Sequence, residues 1–133
     1  MRSSFRILKA TRIDRAFTGE GAAKVGGRWN SVGVRMVYLA SSRALGALEL
    51  LVHLDSATLP SSFVCIPVSF QGSLVESLDP SLLPSNWHAL DAPQLQAVGD
   101  EWIASRRSIV LEVPSAVIPQ ESNFLLNPQH PDF

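Results

Sequence analysis

A glycine-rich turn, a short strand and a helix follow one another from Gly26 onward, and this succession most constrains the fold of the chain. The run Gly26–Gly33 contains three glycines, which predicts an irregular turn whose backbone can approach other groups closely. Arg35–Ala40 is mostly apolar and predicts a strand. Ser41–Ser42 then supplies an N-cap for a helix through about Leu54. That helix is apolar on nearly every side, so we expect it to be largely buried.

Three polar side chains interrupt this segment: Arg28 in the turn, Tyr38 in the strand and Glu49 in the helix. A guanidinium offers a planar fork of donors that suits phosphate. A carboxylate can stabilise a developing positive charge, and a phenol adds a flat face with a hydroxyl. The set suits a ligand that is anionic at one end and becomes cationic during reaction, and a dinucleotide has these properties.

Each of the three residues also has a structural explanation that the sequence leaves open. Arg28 could stack on the neighbouring Trp29. Tyr38 could be a core residue whose hydroxyl has found a partner. Glu49 has aliphatic neighbours along the helix and would be costly to bury unless it is paired or lies at an exposed edge.

The rest of the chain predicts further strands and one more helix, with neither internal repeats nor a linker. A glycine-rich segment spans Thr18–Gly27, and an irregular loop is expected over Asp79–Pro93 after a helix break at Asp55–Pro60. The predicted strands are Phe5–Ala10, Phe63–Phe70, Ile109–Val113 and Asn123–Pro128, and the second helix is Gln94–Ala104. This interspersed pattern favours a single domain over residues 1–133, of the α+β class with a mixed or antiparallel sheet.

Composition excludes several classes of protein. A net charge of −1 and a pI near 6.3 disfavour direct binding of nucleic acid. No apolar run reaches the length of about 18 residues that a membrane span needs, and no signal peptide is evident. Only 17% of the residues are charged, which indicates either a face covered by a stable partner or a well-packed small domain. The lone Cys65 lies in an apolar run, where we expect a buried, inert thiol and a cytoplasmic protein.

Common catalytic and binding motifs are missing from the sequence. The glycines match neither a Gly-x-Gly-x-x-Gly fingerprint nor a Walker loop. Ser115 follows a proline at a strand end, where capping a turn is the usual role, and no nucleophile elbow surrounds it. His53, His88 and His130 lack zinc-ligand spacing, so no metal site is expected.

Several motifs in a fixed order nevertheless resemble the RES domain family, the toxins of bacterial toxin–antitoxin pairs. The resemblance runs through nearly the whole chain. It includes the segments Phe5–Ile7, Gly19–Ala23, Gly26–Asn30, Val37–Ala40, Leu48–His53, Gly99–Trp102, Val113–Ala116 and Asn123–Pro131. Any one of these segments would be weak evidence, whereas their common order is specific.

The resemblance implies an ADP-ribosyltransferase-like fold, with a mixed sheet core and interspersed helices, in a chain that consumes NAD as a substrate and holds no prosthetic group. The catalytic residues it implies are Arg28, Tyr38, Glu49 and Ser115. The NAD-binding residues it implies are Gly27, Arg28, Trp29, Asn30, Tyr38 and Asn123. It also implies a cognate Xre-type antitoxin that occludes the active site.

These observations lead to one hypothesis with two alternatives. The hypothesis is a cytoplasmic toxin that cleaves the nicotinamide–ribose bond of NAD, as a glycohydrolase or as a phosphorylase. The first alternative is an ADP-ribosyltransferase that modifies a protein target. The second is a non-enzymatic binding module in which Arg28 and Glu49 form an internal ion pair.

Overall fold

A six-stranded mixed sheet organises the described part of the chain, which comprises residues 1–53, 62–88 and 93–133 of a computed structural model. The strands are β1 (Arg2–Lys9), β2 (Val37–Ala40), β3 (Phe63–Phe70), β4 (Val75–Ser77), β5 (Val110–Pro114) and β6 (Ser122–Leu126). Their spatial order is β3-β1-β2-β6-β5-β4. The pair β4–β5 is parallel and the other pairs are antiparallel. The predicted α+β class with a mixed sheet is therefore confirmed.

Three α-helices and three short 3₁₀ helices connect these strands within the described residues. The α-helices are α1 (Glu20–Val25), α2 (Arg43–His53) and α3 (Pro93–Ser105). The 3₁₀ helices are Ala10–Arg15, Gly72–Leu74 and Pro80–Leu82. The sequence did not predict α1, because its segment is rich in glycine, or β4, which is only three residues long. The predicted helix end at Leu54 and the break at Asp55–Pro60 lie outside the described residues.

Side chains alternate across the two faces of the sheet, and each face has its own apolar cluster. One cluster contains Val37, Leu39, Phe70, Val110, Phe124 and Leu126. The other surrounds α3 and contains Trp29, Met36, Leu83, Leu95, Trp102, Ile103, Leu111, Val113 and Leu125, with Tyr38 packed against it. Because Asn123 is two residues from Leu125, it lies on this second face, which we call the α3 face.

Helix α2 begins as the sequence predicts but is less buried than expected. Ser42 caps it, because its hydroxyl accepts a hydrogen bond from the Leu45 backbone N–H at 3.0 Å. Leu45 is only 2% exposed, whereas Leu51 and Val52 are 53% and 54% exposed. The prediction of a largely buried helix was therefore wrong. The physical reason is that α2 contacts the sheet through one side only, and the described residues leave its outer side open.

The close packing of α2 on the sheet depends on Gly46. A Cβ atom at this position would lie 2.7 Å from Ile7 Cδ1 and 3.4 Å from Ala40 Cβ. The helix therefore approaches β1 and β2 more closely than a larger residue would allow. This approach brings the following turn of α2, which carries Glu49, over the sheet.

The expectation of a buried thiol at Cys65 was also wrong, because the residue is exposed. Its strand, β3, is at the edge of the sheet, and Cys65, Pro67 and Ser69 point to the exposed side in alternation. An apolar run on an edge strand does not guarantee that each of its members is buried. No helix among the described residues is long and apolar enough to cross a membrane.

Candidate active site

A carboxylate with a fixed orientation lies at the centre of the candidate site. Glu49 Oε1 accepts a hydrogen bond from Ser115 Oγ at 3.2 Å, and Glu49 Oε2 accepts one from Asn123 Nδ2 at 2.9 Å. The three residues come from α2, from the end of β5 and from the start of β6. A carboxylate has about four lone-pair sites, so two hydrogen bonds orient it and leave capacity for a ligand. The sequence predicted all three residues, and the structure brings them together.

Ser115 has its hydroxyl fully engaged and its side chain completely buried. While its Oγ donates to Glu49, the same oxygen accepts hydrogen bonds from the backbone N–H groups of Val117 and Ile118, both at 3.1 Å. Capping this turn is the structural role expected for a serine after a proline at a strand end. The geometry makes Ser115 a residue that positions Glu49, since its one proton is already donated.

Asn123 carries a polar atom without a partner. Its Oδ1 is buried and accepts no hydrogen bond from any described residue. Leaving a buried acceptor unsatisfied costs about 1–3 kcal/mol. The same amide group binds Glu49 through Nδ2, so the orphaned oxygen belongs to the group that orients the carboxylate.

The Tyr38 hydroxyl is fully hydrogen-bonded, as expected if Tyr38 is a structural residue of the core. Its oxygen accepts a hydrogen bond from the Trp29 backbone N–H at 3.0 Å and donates one to Asn30 Oδ1 at 2.6 Å. Burial raises the pKa of the Tyr38 phenol above its usual range, so the hydroxyl stays neutral at physiological pH. A Cβ atom at Gly27 would lie only 2.7 Å from this hydroxyl oxygen, so glycine is required there. The hydroxyl therefore supports the turn that carries Arg28.

Removing this hydroxyl should destabilise the protein. In the Tyr38→Phe variant, the Trp29 N–H and Asn30 Oδ1 would each lose a partner. We expect the free energy of unfolding to fall by about 1–3 kcal/mol, the usual penalty for a buried polar group left unpaired. Chemical denaturation of the two proteins would measure the difference. An unchanged free energy of unfolding would show that the hydroxyl does not support the turn.

The turn before β2 is also held from within by Asn30, whose side chain is completely buried. Its Nδ2 donates to the carbonyl oxygens of Ala22 at 2.9 Å and of Val34 at 3.0 Å. One side chain therefore ties the helix before the turn to the segment after it. Trp29, which is 2% exposed, packs into the cluster around α3.

Helix α3 fastens the same turn through three residues spaced on one side of the helix. Gln96 Nε2 donates to the carbonyl oxygen of Gly27 at 2.9 Å. Asp100 accepts hydrogen bonds from the Ser31 N–H at 2.9 Å and from the Ser31 hydroxyl at 2.6 Å. Between them lies Gly99, against which the Trp29 carbonyl group packs directly. These roles were not predicted from the sequence, in which their one signal is the motif that begins at Gly99.

Arg28 projects from this turn and is half-buried. Its Nη1 donates to the carbonyl oxygen of Trp87 at 3.4 Å. Its positive charge acts to lower the pKa of Tyr38, against the larger effect of burial, which raises it. Tyr38 is paired with Leu125, so it lies diagonally across from Asn123 on the neighbouring strand, a Cα separation of about 7–8 Å. The Arg28–Tyr38 pair and the Glu49 carboxylate cluster therefore share one face of the sheet.

The fold and this arrangement define an α+β domain whose site is centred on one oriented carboxylate, and comparison with known proteins identifies its family. The model of the RES domain matches residues 4–133. The chain belongs to the RES domain family, and the predicted family resemblance is confirmed.

Curated relatives of the chain are toxins. It is 43% identical over 136 residues to the "Prs ADP-ribosylating toxin" of Sphingobium sp. (strain YBL2), a match that covers 98% of this chain and 84% of the relative. It is 39% identical over 130 residues to "Toxin Res" of Yersinia enterocolitica, covering 97% and 86% of the two chains. The fold is similar to a chain in the crystal structure of the M. tuberculosis MbcT–MbcA toxin–antitoxin complex. That similarity has a TM-score of 0.73 at 21% identity and covers 97% of this chain and 76% of that one.

Proposed function

We propose that this chain is the toxin of a bacterial toxin–antitoxin pair and that it consumes NAD by cleaving the bond between nicotinamide and ribose. The observation that carries the proposal is the Glu49 carboxylate, held by Ser115 and Asn123 beside the unpartnered Asn123 Oδ1. A carboxylate in a fixed orientation suits a reaction in which positive charge develops on a sugar ring. Membership of the RES family, with a 43% identical relative named as an ADP-ribosylating toxin, supports the same chemistry.

Cleavage requires that the C1′–N1 bond break and that its electron pair leave with nicotinamide. Nicotinamide departs as a neutral molecule, and the ribose passes through an oxocarbenium-like state, as in glycoside cleavage. The negative charge of Glu49 stabilises that state. A nucleophile then forms the new bond to C1′. An oriented carboxylate lowers the barrier because no reorganisation is needed when the positive charge appears.

The neighbours of Glu49 have different roles in this proposal. Ser115 positions the carboxylate through its hydroxyl. Asn123 does the same through Nδ2, while its free Oδ1 accepts a hydrogen bond from a ribose hydroxyl or from the carboxamide of nicotinamide. Binding of NAD would thereby satisfy the one described side-chain atom that is buried without a partner.

On the other side of the site, Arg28 grips a phosphate of NAD, for which its planar fork is suited. Tyr38 contributes the face of its ring to the nicotinamide ribose, because its hydroxyl already holds the turn. Gly27 has no side chain, so the backbone of the turn can approach NAD closely. Trp29 and Asn30 contribute by fixing the conformation of the turn, since both side chains are buried.

The nucleophile distinguishes three reactions that share one leaving group. Water gives a glycohydrolase, inorganic phosphate gives a phosphorylase, and a protein side chain gives an ADP-ribosyltransferase. The name of the 43% identical relative favours the last as a second candidate function. Analysis of the products formed with and without phosphate, and with a protein extract added, would identify the acceptor.

The proposed partner is an Xre-type antitoxin that covers the site. The exposed apolar side of α2, with Leu51 and Val52 more than half exposed, lies on the same helix as Glu49. A partner segment that placed a carboxylate or a chain terminus against Arg28 would block the position proposed for the phosphate. NAD should then slow association of the antitoxin.

The decisive test is incubation of the purified chain with NAD and measurement of free nicotinamide. We expect nicotinamide to be released, and we expect production of the chain alone in bacteria to lower the NAD level and arrest growth. Coproduction of the antitoxin should restore growth. If the chain releases no nicotinamide and cells that produce it keep their NAD level, the non-enzymatic binding module becomes the better explanation.

A further inference from the structure

A cleft of about 830 Å³ lies beside the end of β1 and is lined by residues of the following 3₁₀ helix and of α1. Six of the eleven lysines and arginines of the chain line this cleft, and only two of its twelve acidic residues do. The basic residues are Arg6, Lys9, Arg12, Arg15, Lys24 and Arg35, and the acidic residues are Asp14 and Glu20. We call this surface the basic cleft. Glu49, Ser115 and Asn123 do not line it.

The basic cleft has an excess of four positive charges, and five of its six basic residues form no ion pair within the described residues. None of the ion pairs found there involves Lys9, Arg12, Arg15, Lys24 or Arg35. The near-neutral net charge of the chain hides this local excess, because the rest of the sequence carries five basic and ten acidic residues. Like charges gathered around a concave surface raise the local concentration of anions.

Arg6 forms part of the cleft wall and connects it to the candidate active site. Its Nε donates to the carbonyl oxygen of Ala16 at 3.0 Å, and its Nη1 donates to the carbonyl oxygen of Tyr38 at 3.5 Å. A guanidinium has five N–H donors, so three are left for another acceptor. Both carbonyl groups are neutral, so the charge of Arg6 adds to that of the cleft.

Apolar side chains complete the lining. Leu8, Ala23, Leu50 and Phe63 lie among the basic residues. A bare inorganic anion would use only the charged groups, whereas a ligand with both an aromatic base and phosphate groups would use both kinds of surface. A volume of about 830 Å³ is within the usual range for sites of organic ligands, roughly 300–1,000 Å³.

We propose that the basic cleft binds a nucleoside diphosphate group, with the phosphates on the basic side chains and the base against the apolar ones. Such a group has two sources: the ADP half of an NAD molecule whose nicotinamide end lies at Glu49, or a separate nucleotide. The first source rests on the proposed function, and the second does not. Leu50 lines the cleft next to Glu49 in sequence, so the two sites are neighbours on α2.

Titration of the wild-type chain with ADP tests this proposal without depending on NAD cleavage, with adenosine and pyrophosphate as further probes. ADP should bind saturably, more tightly than either of its parts. The double variant Arg12→Gln and Arg15→Gln should weaken ADP binding about tenfold or more, as expected for the loss of charge-assisted hydrogen bonds. The matched control is Arg106→Gln, which removes one exposed arginine outside the cleft and should leave binding unchanged.

A competition experiment with the Glu49→Gln variant identifies the source of the group. Displacement of NAD by ADP, with both ligands weakened by the Arg12→Gln and Arg15→Gln double variant, would assign the cleft to the ADP half of NAD. Simultaneous binding would assign it to a separate nucleotide. Either result supports the cleft as a nucleoside diphosphate site. The proposal is overturned if ADP does not bind saturably, or if the double variant and the Arg106→Gln control weaken binding equally.

Discussion

Replacing Glu49 with glutamine is expected to slow NAD cleavage several-hundredfold while the protein stays folded. The substitution keeps the shape of the side chain and removes the negative charge that, in the proposed reaction, stabilises the oxocarbenium-like ribose. Loss of one preorganised electrostatic group costs about 3–4 kcal/mol of transition-state stabilisation, which corresponds to a factor of roughly several hundred in rate. Release of nicotinamide at saturating NAD measures the effect.

The fold should tolerate this change because Asn123 can adapt. Glutamine at position 49 would turn a donor toward Asn123 Nδ2, which is itself a donor. Rotation of the Asn123 amide by a half-turn would present its unpartnered Oδ1 instead and restore the hydrogen bond. The control is Glu101→Gln, an exposed acidic residue of α3 that should leave the rate unchanged. A folded Glu49→Gln protein with wild-type turnover would contradict the catalytic assignment.

The second large effect is expected at Gly99, where alanine should lower the free energy of unfolding by about 2–3 kcal/mol. Alanine is favoured over glycine inside a helix by about 1 kcal/mol. Here a Cβ atom would overlap the carbonyl group of Trp29, so the turn or the helix must move. Overpacking in a well-packed interior costs about 1–3 kcal/mol and occasionally more. The steric cost therefore exceeds the gain in helix propensity.

Gly21 provides the matched control for this substitution. It lies in α1, and a Cβ atom built there meets no atom within 4 Å. Gly21→Ala should thus leave stability unchanged or raise it by up to about 1 kcal/mol. Chemical denaturation compares the two variants, and NAD turnover of Gly99→Ala should also fall because the displaced turn carries Arg28. Equal stability of the two variants would show that α3 does not hold the turn closely.

Most strands and two of the three described helices could be predicted from the sequence because hydrophobic periodicity depends on local neighbours alone. The strand over Phe63–Phe70 and the helix around Trp102 have the strongest patterns, and their bounds agree closely with the structure. The errors concern long-range packing. Cys65 is exposed because its strand is at the sheet edge, and the outer side of α2 is open because one side of the helix meets the sheet. A sequence pattern does not indicate which faces of a strand or helix are covered by other elements in the folded protein.

The candidate site, like the fold, could be predicted only in part. Its residues could be identified from the sequence because their motifs occur in a specific order: Arg28, Tyr38, Glu49, Ser115 and Asn123. The separate role of each residue could not be predicted, because the hydrogen bonds that occupy Ser115 and Tyr38 join residues on different elements. The contacts between the turn and α3 could not be predicted from the sequence either, because Gln96 and Gly99 lie some 70 residues further along the chain.

The sequence alone therefore determined most of the local elements, the family and the residue types of the candidate site, because each depends on short motifs and their order. Only the tertiary structure decided that Glu49 is oriented by Ser115 and Asn123, and that six basic residues gather in one cleft of a nearly neutral protein. The physical reason is that hydrogen bonds and electrostatic fields act through space. Residues 66 and 74 positions away from Glu49 reach its carboxylate only when the sheet brings their strand ends beneath α2.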